Sequence, residues 1–197
     1  DIVPVTIPQR KGDPIVFDRD ETFRENAKIE DYSKLKPAFK AGGTVTAGNA
    51  SGINDGAAVV IMMSGDKAKE LGLKPLAKYV ASASAGVEPA IMGYAPVYAV
   101  QKLLNKTGLK KEDIGLFELN EAFAAQAVAC VKDLGLNPDI VNVNGGAIAL
   151  GHPVGCTGAR LAITLIGEMR RRGVRYGIVS LCIGGGQGIA TLFELCE

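Results

Sequence analysis

The stretch Gly177-Ile-Val-Ser-Leu-Cys-Ile-Gly-Gly-Gly-Gln-Gly-Ile-Ala-Thr-Leu-Phe-Glu-Leu195 decides the fold. Two apolar runs of strand length, Gly177 to Ile183 and Ile189 to Leu195, flank a connector of four glycines and a glutamine. So short a glycine connector favours an antiparallel hairpin. Working outward, Gly158 to Arg172 places Leu161, Leu165 and Met169 on one helical stripe. Ile140 to Val143 reads as a short strand, and Glu121 to Leu134 as a helix with Phe123, Ala127, Cys130, Val131 and Leu134 inward. Ile114 to Leu119 is a further strand candidate. The order strand, helix, strand, helix, strand, strand implies an α/β fold, a mixed sheet with helices on both faces.

Toward the N-terminus, Pro96 to Asn105 has apolar residues at helical spacing with proline in the first turn, and Leu76 to Ala83 reads as a strand. Asp66 to Leu71 is helix-like and stops at Gly72, and Ala57-Ala-Val-Val-Ile-Met-Met63 is expected to be a buried strand. The first 40 residues differ in kind. They hold sixteen of the 43 charges and four of the nine prolines, with little periodicity, so they read as extended, surface-wrapping chain. The division expected is an extended, charged segment over 1–53 and a core domain over 54–197.

At 47% hydrophobic residues, 197 residues suffice for one sizeable core. A formal charge of +1 leaves no footprint for nucleic acid or for anionic lipid. Arg170-Arg171-Arg172 ends a helical pattern, where basic side chains suit the helix C-terminus. Four cysteines, at 130, 156, 182 and 196, contain no Cys-x-x-Cys pair, which argues against a zinc ribbon and against a disulfide-stapled secreted module. No apolar run reaches membrane-spanning length, and the first residues do not resemble a secretory signal. A reducing compartment follows, read as the cytoplasm.

Three side chains stand in the turns after strands, where α/β folds place functional groups. Asn120 follows the strand ending at Leu119, and its side chain suits either a helix N-cap or a reaction site. His152, the only histidine, lies in Asn144-Gly-Gly-Ala-Ile-Ala-Leu-Gly-His-Pro-Val-Gly155, where glycines permit close approach of a ligand. Cys182 ends a strand before three glycines whose backbone N–H groups are candidate oxyanion donors. A thiol, an imidazole and an amide suit acyl chemistry. Neither glycine cluster is followed by Gly-Lys-Ser/Thr, so a nucleotide loop is disfavoured, and one histidine with scattered cysteines gives no metal-ligand spacing.

At these motifs the chain resembles the thiolase family, acyl-CoA acyltransferases of the acetyl-CoA acetyltransferase type. The blocks are Gly48-Asn-Ala-Ser-Gly-Ile-Asn-Asp-Gly56, Asn120-Glu-Ala-Phe-Ala124, the histidine block and Cys182-Ile-Gly-Gly-Gly-Gln-Gly188, in the family's order. The resemblance implies acyl exchange between a cysteine thioester and CoA, by thiolysis of acetoacetyl-CoA or another 3-ketoacyl-CoA, or by Claisen condensation of acetyl-CoA. It implies Cys182 as the acid/base thiol and His152 as activator of the nucleophile and donor to a thioester oxygen. Asn120 would hold a water that completes that oxyanion site, and Gly184 would lend its N–H to a second one. Ser51 would lie along the pantetheine, Met92 near the acyl group and Phe123 beside the CoA. CoA is then a substrate, and no permanently bound cofactor is expected.

The family's nucleophilic cysteine lies in an N-terminal block that has no counterpart here. The resemblance therefore covers the C-terminal half: the end of a loop domain over 1–53 and the second of two core domains. It implies an inactive lone polypeptide with a large apolar face, an N-terminal half on a separate chain or segment as partner, and a homodimer or homotetramer of the complete enzyme. An organellar targeting segment would sit in that other half. Tyr94-Ala95-Pro96 departs from the family, in which glycine commonly precedes this proline. Two alternatives stand beside this reading: a cysteine hydrolase using Cys182, His152 and Asn120, and a non-catalytic thiolase-like assembly subunit.

Overall fold

A computed structural model describes residues 2–196. The elements run β1 (Val5–Ile7), β2 (Ile15–Phe17), α1 (Ile29–Tyr32), α2 (Gly65–Glu70), β3 (Ala77–Gly86), α3 (Ala95–Thr107), β4 (Leu116–Leu119), α4 (Ala124–Leu134), α5 (Ala147–Leu150), α6 (Thr157–Arg172), β5 (Tyr176–Ile183) and β6 (Gln187–Leu195). A four-stranded sheet has the order β3-β6-β5-β4. β4 and β5 are parallel, whereas β6 runs antiparallel to both β5 and β3, so the sheet is mixed as expected.

Side chains alternate across a strand, which makes each strand serve two helical layers. On one face Ile178 of β5 joins Phe117 and Leu119 of β4 against Val97, Val100 and Leu103 of α3 and Cys130 and Leu134 of α4. On the other face Val179 and Leu116 meet Leu161, Leu165 and Met169 of α6. Each such buried side chain contributes roughly 1.5–3 kcal/mol. Gly177 makes the second layer possible, because a Cβ there would stand 2.7 Å from the Met169 sulfur and 2.9 Å from a Leu165 methyl. Helices α3, α4 and α6 all stop on left-handed glycines, Gly108, Gly135 and Gly173.

The Gly177–Leu195 reading holds: β5 and β6 form a hairpin in which Ile183 pairs with Gln187 around the turn at Gly184–Gly186. Three expectations need correction. Residues 57–63 form no strand, and Val59, Ile61 and Met62 are 81%, 82% and 68% exposed, because β3 at the sheet edge pairs only with β6. Residues 140–143 give only an isolated bridge, Val141 to Phe117, since Pro138–Ile140 is a 3-10 turn and Asn142 turns away at φ 47°. Helix α4 begins at Ala124 instead of Glu121, because residues 122–124 extend beside residues 49–51.

The first 40 residues are solvent-facing in all their described positions except the partly covered Asp20, with one small β1–β2 hairpin. Among the described residues, no helix is long and apolar enough to cross a membrane.

Candidate active site

The site is assembled by two loops and a strap. The Asn120 N–H donates to the Ser180 carbonyl at 3.0 Å, carrying the β4–β5 ladder one residue past the strand. Asn142 then closes the edge: its side-chain amide exchanges two 2.8 Å bonds with the backbone of Leu119. The same Asn142 amide donates to Glu121, whose other oxygen accepts from the Ile148 N–H, both at 3.2 Å. Glu121 therefore ties the asparagine loop to the histidine loop.

The strap is residues 49–54. Ser51 N–H donates to the Ala122 carbonyl at 3.0 Å, Ala124 N–H to Asn49 at 2.8 Å, and Ala50 bridges Phe123. Phe123 meets Phe39 edge to face with ring centroids 5.6 Å apart. At the end of the strap, Asn54 Oδ1 accepts from the His152 N–H at 3.1 Å, while Ile53 bridges His152 in parallel. Ser51 and Phe123 thus share one wall.

Asn120 is 1% exposed and spends its side chain on the imidazole, not on a helix cap: its Nδ2 lies 3.2 Å from His152 Nε2. Its Oδ1 is buried with no hydrogen-bond partner among the described residues. On the other side of the ring, Nδ1 is 2.7 Å from the hydroxyl of Thr157, which donates to the Pro153 carbonyl at 2.8 Å. Burial lowers the His152 pKa, and the guanidinium of Arg160 lowers it further, so the imidazole is held neutral. All three Arg160 nitrogens are buried without a hydrogen-bond partner among the described residues, as is one oxygen of Glu118. Desolvation raises Glu118 to about 7 despite the opposing pull of Arg160.

Cys182 is half-buried near the end of β5, on the face of Ile178 and Ser180, and its register partner is Gly188. A Cβ on Gly188 would stand 2.7 Å from the Ala95 carbonyl carbon, so the start of α3 packs against that position. Met92 lies in the 3-10 turn Pro89–Tyr94 that leads directly into α3. Gly184 opens the hairpin turn, exposed, with nothing within 4 Å of where a Cβ would be. Burial raises the Cys182 thiol, so in this chain it is a proton carrier at rest and not a thiolate. The structure therefore joins Asn120 to His152 directly and sets Cys182 one strand away. In a Cys–His–Asn hydrolase relay the amide would orient one ring nitrogen while the other faces the thiol. Here Thr157, not Asn120, meets Nδ1, and Asn120 lies on the Nε2 side, so Asn120 does not play the orienting part that relay assigns to the amide.

Sequence reading missed Asn54, Glu121, Asn142, Thr157 and Arg160. Thr157, Glu121 and Arg160 offered no signal, since their roles depend on contacts made in the fold. Among the described residues, no group of three or more His, Cys, Asp or Glu is placed to hold a metal ion.

Comparison with known families matches residues 73–195 to the thiolase C-terminal domain and residues 1–66 to the thiolase N-terminal domain. The chain belongs to the thiolase family. An acetyl-CoA acetyltransferase of Chromobacterium violaceum is 58% identical over 194 residues, covering 98% of this chain and 50% of that protein. A probable acetyl-CoA acyltransferase of Staphylococcus aureus is 59% identical over 192 residues, covering 98% and 49%. The crystal structure of Bacillus anthracis acetyl-CoA acetyltransferase superposes with a TM-score of 0.92 at 52% identity, covering 98% of this chain and 49% of that one. Human mitochondrial 3-ketoacyl-CoA thiolase in complex with CoA gives 0.86 at 45%, covering 92% and 46%. The chain thus spans about half the length of the thiolases it matches, and its mixed sheet is the thiolase fold.

Proposed function

We propose that this chain supplies the second half of a thiolase active site, whose first half, carrying the nucleophilic cysteine, comes from another chain or segment. The observation that carries the reading is the part-buried Asn120–His152 pair at 3.2 Å, with a partnerless Asn120 oxygen beside it. That oxygen suits a water which, with the imidazole, faces a thioester oxygen.

In the thiolysis direction, the nucleophilic thiol gives its proton to His152 Nε2 and its sulfur bonds to the 3-keto carbon. The bond between that carbon and the acetyl-CoA carbon breaks, and its electron pair passes to the enolate. Imidazolium Nε2–H and the water held by Asn120 stabilise the enolate oxygen, a donor of this kind being worth about 3–4 kcal/mol. Cys182, kept protonated by burial, delivers its proton to the enolate carbon. The resulting Cys182 thiolate takes the proton of CoA, whose sulfur attacks the acyl-enzyme carbonyl while Gly184 N–H meets the oxyanion. The bond from that carbon to the nucleophilic sulfur then breaks, and the departing thiolate takes back the proton held on His152 Nε2. Ser51 and Phe123 form the wall along CoA, and Met92 the acyl side.

We keep the division of a loop-domain end over 1–53 and a core domain over 54–197. The exposed apolar run 57–63 lies within the N-terminal-domain match, which supports assigning it to the face where the first half docks. The complete enzyme is read as a cytoplasmic homodimer or homotetramer, with CoA as substrate.

The test is thiolysis of acetoacetyl-CoA by this chain alone and co-expressed with a first half from a relative. We expect activity only in the assembled protein, and a loss of about 10²–10³-fold with His152→Ala. Turnover by the lone chain, or an assembled His152→Ala protein of unchanged rate, overturns the reading.

A further inference from the structure

The bonds around His152 have only one consistent direction. The Pro153 carbonyl can only accept, and it takes two donors: the Cys156 N–H at 3.0 Å and the Thr157 hydroxyl at 2.8 Å. A hydroxyl has one proton. Having given it to Pro153, the Thr157 oxygen meets Nδ1 at 2.7 Å as an acceptor, so Nδ1 must bear the ring proton. A neutral imidazole with Nδ1–H has a bare Nε2, which accepts from Asn120 Nδ2 at 3.2 Å. Four groups then form one chain of bonds: Asn120 amide to Nε2, Nδ1–H to the Thr157 oxygen, and the Thr157 proton to the Pro153 carbonyl.

We propose that Thr157 is a positioning residue that sets the tautomer of His152, holding a proton on Nδ1 so that Nε2 alone gains and loses the transferred one. Its place fits the task. Thr157 is 0% exposed, is the first residue of the sixteen-residue α6, and is fixed by the turn that follows His152. When Nε2 takes a proton, the Nδ1–H···Oγ1 bond is unchanged, and the imidazolium presents Nε2–H to a developing oxyanion without rearranging its far side. With the other tautomer, Nε2 would start protonated and could not accept a proton from a thiol. Burial and Arg160 keep the ring neutral beforehand, which makes the choice of tautomer decide the chemistry.

This inference rests on the reading of His152 as a proton carrier in thiolase chemistry, and its test separates the two. The chain has one histidine, so histidine-labelled protein assembled with an unlabelled first half gives a single pair of imidazole nitrogen signals. We expect long-range 1H–15N correlation spectra at neutral pH to show Nδ1 protonated in the wild type. Thr157→Val should convert most of the population to the Nε2–H form and lower kcat roughly a hundredfold with KM little changed, while Thr157→Ser restores both. Thr157→Val leaves Pro153 its bond from Cys156, and the wild-type spectrum is decisive even if that variant fails to fold. An Nε2–H tautomer in the wild type, or Nδ1–H retained in Thr157→Val, overturns the proposal. A tautomer that shifts as expected, with thiolysis unmoved both by Thr157→Val and by His152→Ala, supports the positioning role and overturns only the catalytic reading.

Discussion

Residues 57–63 and 177–183 are two apolar runs of equal length, and they have opposite fates. The second lies between β4 and β6, hydrogen-bonded on both sides, with Ile178 and Val179 0% and 4% exposed. The first has no strand beside it, and Val59 and Ile61 are 81% and 82% exposed. The more apolar of the two, 57–63, is the one left exposed. A strand is a relation among segments: without a ladder partner and a helical layer, β-branched residues have no pleated surface to pack on.

The largest expected effect is at the centre of the paired run. Val179→Asp places an uncompensated carboxylate against Leu161 and Leu165 and should cost about 5 kcal/mol or unfold the chain, measured by urea denaturation. A loss under about 1 kcal/mol would mean that the α6 layer is not packed there.

The next effect tests whether this interior also governs charge. Glu118, 2% exposed on β4 beside the second run, has its pKa raised from 4.5 to about 7 chiefly by burial. Its folded form binds a proton more tightly than its unfolded form. The contribution to stability is therefore full below pH 4.5 and is lost as pH rises through about 7, a swing of about 3 kcal/mol. Glu118→Gln cannot titrate, so urea midpoints of the two proteins should converge in acid and part toward pH 8, the variant above. Parallel curves would show that Glu118 is solvated or fully compensated by Arg160.

The smallest effect is expected at the unpaired run. Val59→Asp should change the stability of the lone chain by less than about 0.5 kcal/mol, yet weaken pull-down of a co-expressed first half. A loss comparable to that of Val179→Asp would erase the comparison.

Much of this contrast bears on what the sequence discloses. Helices α3, α4 and α6 were legible because each couples an apolar stripe to a terminal glycine, and the hairpin because its connector is too short for a crossover. Both features are local. The start of α4 was not legible, because residues 122–124 are claimed by a strap more than 70 positions earlier. The same limit applies to the site. Asn120 and His152 announce themselves by type and by glycine surroundings, whereas the acceptor that orients the imidazole, Thr157, looks like any residue opening a helix. Its meaning comes from a hydroxyl with one proton and two neighbours, which only the folded arrangement brings together.

The bond from the His152 N–H to Asn54 joins residues 98 positions apart. Closing a loop of that size costs about 4 kcal/mol in chain entropy, beyond what one hydrogen bond returns. The contact therefore forms after the sheet and its helices have drawn the two ends together. A chain made from N- to C-terminus exposes Asn54 long before the group it holds exists.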